Sequence, residues 1–159
     1  MAEFNYQVLS TTEMRDLYPV EIRPRLEKTI TRAPCGAHPE DFYPDLLDGA
    51  FSSITIECSG KIIGVAVVEE MVDRLTREKG LFVWATALDP VPGALDFFED
   101  VLDEMAERYN WRYVRFSSSR REWRAMQRRK RPDTWREKAI VWEKQYGRQQ
   151  HPETENQPE

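Results

Sequence analysis

The sequence predicts a single α/β (α+β) domain whose centre is a mixed, mostly antiparallel sheet flanked by helices. Three stretches predict it. Ile54, Ile56 and Cys58 alternate with Thr55, Glu57 and Ser59, the period of a half-buried strand. Residues 61–72 run Lys-Ile-Ile-Gly-Val-Ala-Val-Val-Glu-Glu-Met-Val, apolar on both faces in the middle and so suited to a central strand. Residues 94–109 carry Leu95, Phe98, Val101, Leu102, Met105 and Tyr109 at helical spacing, opposite Asp96, Glu99, Asp100, Asp103, Glu104 and Glu107.

The remaining elements follow in order. Residues 5–9 make a short first strand. Ser10 with Glu13 three residues later is a capping-box signature. A helix from about Thr11 then turns Met14, Leu17 and Tyr18 inward, and Pro19 and Pro24 interrupt it before a second piece with Leu26 and Ile30. Pro34-Cys35-Gly36 reads as a loop. Pro39 to Leu47 reads as a helix with Phe42, Leu46 and Leu47 inward. Ser59-Gly60 is the turn of a hairpin, and Gly64 marks a bulge or a close backbone approach. Residues 73–79 form a polar loop. Leu81 to Leu88 is the third strand of the meander and stops at Asp89-Pro90-Val91-Pro92-Gly93. Trp111 to Phe116 is a strand, 120–130 a helix with Trp123 and Met126 inward, and Ala139 to Tyr146 a closing strand. Domain bounds of 1–146 follow, with 147–159 a polar, disordered tail.

Composition narrows the class. With 159 residues, the chain is long enough to bury roughly 70% of the surface its unfolded form exposes. No apolar run approaches the ~20 residues a membrane helix needs. The first 20 residues carry Glu3, Glu13 and Asp16 and no continuous apolar stretch, so no secretory signal is expected. Two cysteines without a C-x-x-C exclude a zinc or disulfide framework, and no metal site is expected. A reducing, cytoplasmic setting is the expectation.

Charge is segregated. The chain carries −5 overall, but Arg112 to Lys138 holds 11 basic and three acidic residues. Arg121, Arg124, Arg128 and Arg131 share one broad helical face. That face suits an acidic protein or a phosphate-bearing ligand, or it is a solvated face balancing the acidic remainder. The oligomeric state is left open.

The order of elements, together with Ser59-Gly60-Lys61-Ile62-Ile63-Gly64-Val65-Ala66-Val67 and the strand 81–88 ending in Asp89-Pro90, resembles the GNAT N-acetyltransferase superfamily over about residues 5–146. The short, motif-poor form is similar to the GNAT-like proteins of tailed bacteriophages, for which the setting would be host cytoplasm or virion. The resemblance implies that acetyl-CoA wedges beside a splayed strand, its diphosphate cradled by backbone N–H groups before the long helix. It places Leu88, Val91, Gly93 and Ala94 at the cofactor, with Arg120 and Arg124 near its other end. The family writes the turn Arg/Gln-x-x-Gly-x-Gly/Ala. Here only Gly93-Ala94 keeps the small pair, Pro90 and Pro92 have no N–H, and Asp89 and Asp96 bring negative charge. A carboxylate ~5 Å from a phosphate costs on the order of 1 to 3 kcal/mol.

The catalytic side is equally sparse. The family's base is often a Glu on the fourth strand, yet residues 81–88 hold no ionisable side chain. Glu69 and Glu70 are the nearest substitutes on the preceding strand, and a strand-end pair is also simply solvated. The family's acid is usually a Tyr after the fifth strand. Helix 120–130 has none, which leaves Tyr113 and Ser118, residues that equally pack or cap. Three functions are expected to compete. The first is an N-acyltransferase with a degenerate cofactor turn and a basic amine acceptor, drawn to a groove near Glu40, Asp41, Asp45 and Asp48. The second is an inactive binding protein of the same fold, acting in a virion or on a host. The third is nucleic-acid binding through the Arg-rich helix, with Trp111, Trp123 and Trp135 as stacking partners.

Overall fold

The computed structural model describes residues 2–30 and 38–116. The expected helix 120–130, the closing strand 139–146 and the boundary at 146 lie outside them, as does Cys35. The elements run β1 (Phe4–Val8), α1 (Thr11–Leu17), a π-helical turn (Tyr18–Ile22), α2 (Arg23–Ile30), α3 (Pro39–Asp48), β2 (Ser52–Cys58), β3 (Lys61–Val72), β4 (Lys79–Leu88), α4 (Ala94–Tyr109) and β5 (Tyr113–Phe116). The five strands form one sheet in the order β1-β2-β3-β4-β5. The first three pairings are antiparallel and β4–β5 is parallel, which makes the sheet mixed and mostly antiparallel as expected.

Helices cover both faces. On one, Phe98, Val101, Leu102 and Met105 of α4 pack on Ile54, Ile56, Ala66, Val68, Leu81 and Val83. On the other, Met14, Tyr18, Ile22, Leu26, Phe42 and Leu46 pack on Val65, Val67 and Ala85. The second layer corrects one expectation. β2 is not half-buried: Ser53 and Thr55 are each 1% exposed, because α1–α3 close over the face that the alternation assigns to water. Two further corrections concern α4, where Tyr109 lies exposed at the helix end, stacked on Trp111, and Glu99 is buried.

The helical stretch before α3 is also less broken than its prolines suggest. Residues 11–30 are helical throughout. Pro19 falls inside this run, at the start of the π segment, and cannot donate to the helical ladder. The Arg23 N–H reaches the Tyr18 carbonyl, five residues back. That widened turn carries the chain to Pro24 without a break. The capping box of α1 is present: Ser10 Oγ accepts the Glu13 N–H at 3.2 Å and the Ser10 N–H donates to Glu13 Oε1 at 3.2 Å. Tyr18 donates its hydroxyl to the Pro39 carbonyl at 2.8 Å, and burial pushes its phenol up to about 12.

The hairpin turns behave as their residues dictate. Ser59 and Gly60 both take positive φ, 50° and 81°, the two-residue turn whose twist suits a hairpin. The loop after β3 is ordered by Asp73. Its Oδ1 accepts the Leu75 and Thr76 N–H groups at 2.9 and 3.1 Å, and its Oδ2 takes Arg115 at 3.0 Å. The Thr76 N–H first, then Arg115 and the Leu75 N–H, hold this carboxyl down to about 2, from 3.8. A depressed carboxylate contributes its full stability above the unfolded pKa and loses it as the pH falls through the folded one. Urea melts should therefore show wild type losing stability between about pH 4 and pH 2, more steeply than Asp73→Asn. Parallel pH profiles for the two chains would contradict the assignment.

Candidate functional site

β4 is the strand that builds the site. It pairs with β5 from Gly80↔Tyr113 to Val83↔Phe116. The next residue, Trp84, is an extra residue on β4, since Val68 pairs with Val83 and Val67 with Ala85. Such a bulge bends a strand and increases its twist. Beyond it, residues 85–88 pair with β3. At the end of this stretch Gly64 pairs with Leu88, and a Cβ there would collide with Leu88 Cδ1. The glycine thus lets Leu88 fold across β3 onto the α4-side core.

The strand then enters the turn that precedes α4. The Asp89 N–H donates to the Ile63 carbonyl at 2.7 Å, the Val91 N–H to the Asp89 carbonyl at 2.7 Å, and the Ala94 N–H to the Val91 carbonyl at 3.0 Å. Pro90 and Pro92 have no N–H. Gly93, with φ 83°, is the N-cap, and its carbonyl accepts the first helical bond from Phe97 at 3.0 Å. Every amide from Asp89 to Ala94 except that of Gly93 is therefore either absent or bonded within the protein. Phe4 stacks on Phe97 at 5.3 Å and closes the turn's other side.

Asp89 is not the bare charge that its sequence position suggests. Arg25 of α2, 18% exposed, donates to Asp89 Oδ1 at 2.8 Å and to the Ile62 carbonyl at 2.8 Å, with Glu21 at 3.6 Å from its Nε. The arginine ties the helical layer to the end of β4 and offsets the carboxylate at the turn. No motif announces Arg25; it reaches the turn only because the helical segment stays continuous through Pro24.

The structure separates the residues expected to act together. Leu88, Val91, Gly93 and Ala94 do gather at the turn. Glu70 pairs with Leu81, at the other end of β4, roughly 23 Å from Leu88 at strand spacing. There it accepts Trp111 Nε1 at 2.8 Å and meets Lys79 at 3.2 Å. Tyr113 lies over Gly80 at that same end, beneath the Arg115 guanidinium at 3.8 Å, with its hydroxyl 3.4 Å from the Met71 carbonyl. Neither is brought to the turn. Ser118, Arg120, Arg121, Arg124, Arg128 and Arg131 lie outside the described residues. Among the described residues no group of three His, Cys, Asp or Glu side chains is placed to hold a metal.

Glu69 differs from its neighbour. Its side chain stands on the α1–α3 face, where Oε2 accepts Trp84 Nε1 at 3.0 Å. The Trp84 ring lies 5.6 Å from Phe51 and 4.7 Å from Phe82. A carboxylate and a half-exposed indole thus meet at the β4 bulge. The acidic residues of α3 are in part committed elsewhere: Glu40 to Arg23 and Asp41 to the His38 N–H at 2.7 Å. Outward aromatic residues at Phe82 and Trp84 are the signal that would have found this cluster.

Solved structures place the architecture. An aminoglycoside acetyltransferase from an uncultured soil metagenomic sample, solved with trehalose, matches 91% of this chain and 97% of its own, at 11% identity and a TM-score of 0.65. A GNAT family acetyltransferase from Staphylococcus aureus subsp. aureus USA300_TCH1516 matches 90% and 98%, at 13% identity and 0.60. An aminoglycoside N-acetyltransferase solved in complex with CoA matches 91% and 96%, at 12% identity and 0.63. The chain has the GNAT acetyltransferase fold. No protein-family model matches it, and no curated protein matches it in sequence.

Proposed function

We propose that this protein is an acyl-CoA N-acyltransferase-fold protein that grips its donor by the extended arm and only weakly by the diphosphate, with a basic amine as acceptor. The observation that carries the reading is the bulge at Trp84, beyond which β4 continues beside β3 into the turn before α4. The α1–α3 face supports the choice of acceptor, because it holds Glu69 beside that bulge.

A second reading is favoured by the turn itself. With Pro90 and Pro92 lacking donors and the Val91 and Ala94 N–H groups satisfied internally, the fold serves as a catalytically inactive binding protein, in the manner of a virion or host-interaction protein. Calorimetry with acetyl-CoA separates the two. Saturable binding, weaker than about 0.1 mM, supports the donor reading, because each missing charge-assisted hydrogen bond removes roughly 1.5 to 3 kcal/mol. No binding at millimolar donor and no release of free thiol with any amine would leave the inactive reading.

A further inference from the structure

We infer that Trp84, Phe51, Phe82 and Glu69 form a binding site for an organic ammonium ion attached to a flat apolar body, such as an arylalkylamine. Phe51 and Phe82 each contact Trp84, with ring centroids 5.6 and 4.7 Å from its own, and Trp84 keeps 45% of its surface exposed. An exposed indole face attracts both an apolar ring and a cation, the latter through the quadrupole of the ring. Glu69 adds a full negative charge at the indole's edge, held by the 3.0 Å bond from Trp84 Nε1. One of its oxygens, Oε2, makes that bond.

The surrounding charges favour a cation. α3 ends at Asp48, shortly before Phe51, and the Asp45 carbonyl accepts the Phe51 N–H at 3.0 Å, so two carboxylates and a helix C-terminus belong to the same corner. Among the described residues, the basic residue that the register sets beside Phe82 is Arg115. Its guanidinium is occupied by the Tyr113 ring at 3.8 Å and by Asp73 at 3.0 Å. Strict alternation already places Trp84 on the face of Phe82, and the extra residue returns Ala85 to that same face, beside Val67.

The link of this site to acyl transfer rests on the function proposed above, but the binding does not. The test therefore contains no acyl-CoA. Phenethylammonium and its neutral counterpart 2-phenylethanol are titrated into the full chain, and the backbone amide signals of Phe51, Phe82 and Ala85 are followed by NMR. The amine should shift these signals saturably, with a Kd at least tenfold below that of the alcohol. Glu69→Gln should bring the two ligands to within about threefold of each other, and Trp84→Ala should abolish saturation by both. Should Trp84→Ala lose the folded spectrum, Glu69→Gln alone decides. Equal affinity for amine and alcohol in wild type would overturn the inference. So would an amine preference that survives Glu69→Gln. A donor titration that fails while this one succeeds removes the acyltransferase reading and leaves the cation site standing.

Discussion

Replacing both turn prolines, Pro90→Ala with Pro92→Ala, should tighten acetyl-CoA binding at least tenfold. The substitutions restore two backbone N–H groups beside the N-terminus of α4 and change no charge. A hydrogen bond to a charged group contributes roughly 1.5 to 3 kcal/mol, and about 1.4 kcal/mol is a factor of ten in affinity. One restored contact therefore reaches the expected gain, and two exceed it. The same change should lower thermal stability slightly, since each proline limits the freedom of the unfolded chain by ~0.4–1 kcal/mol. Calorimetry on the folded double variant reads the effect. An unchanged affinity would mean that the diphosphate does not approach this turn.

Phe98→Ala should cost roughly 3 to 5 kcal/mol of stability. Phe98 is 5% exposed and lies in the core between α4 and the sheet, among Val101, Leu102 and Met105. Leu75→Ala is the matched control: Leu75 is 95% exposed in the loop after β3, and exposed changes stay within ~0.5 kcal/mol. Urea midpoints of the two variants should differ widely at equal slope. A small effect at Phe98 would contradict the packing of α4 on the α4-side core, and with it the aim of the helix N-terminus at the turn.

How far the sequence speaks depends on the range over which a signal acts. The strand 54–58 and the helix 94–109 were legible from the spacing of their apolar residues, and the strand 61–72 from an apolar run on both faces. The turn at Ser59-Gly60 was legible because only certain residues tolerate its backbone. The covering of Ser53 and Thr55 was not, because a small polar residue carries no mark of which layer lies over it. Continuity through Pro19 and Pro24 was hidden for a different reason. A proline breaks an α-helical ladder, while a single π turn of the kind at Tyr18–Ile22 carries the chain past it, and composition does not announce that turn.

The candidate site was legible in part. Leu88, Val91, Gly93 and Ala94 do share one turn, and the loss of donors at the prolines follows from chemistry alone. The Arg25–Asp89 pair spans 64 positions, and the Glu69–Trp84 pair spans the β3–β4 register across a bulge. Adjacent glutamates point to opposite faces of a strand, so Glu69 and Glu70 have separate surroundings, and only three-dimensional register tells which one lies by Trp84.

The central claim is that β4 beyond the Trp84 bulge, and not the turn before α4, supplies the grip on an acyl donor. It is tested most directly by titrating the wild-type chain with acetyl-pantetheine, which has the arm without the diphosphate and nucleotide, alongside acetyl-CoA under the same salt. The account predicts dissociation constants within about tenfold of each other, because the missing part meets a turn nearly stripped of donors, a difference of no more than about 1.4 kcal/mol. Binding of acetyl-CoA a hundredfold or more tighter than acetyl-pantetheine would contradict it.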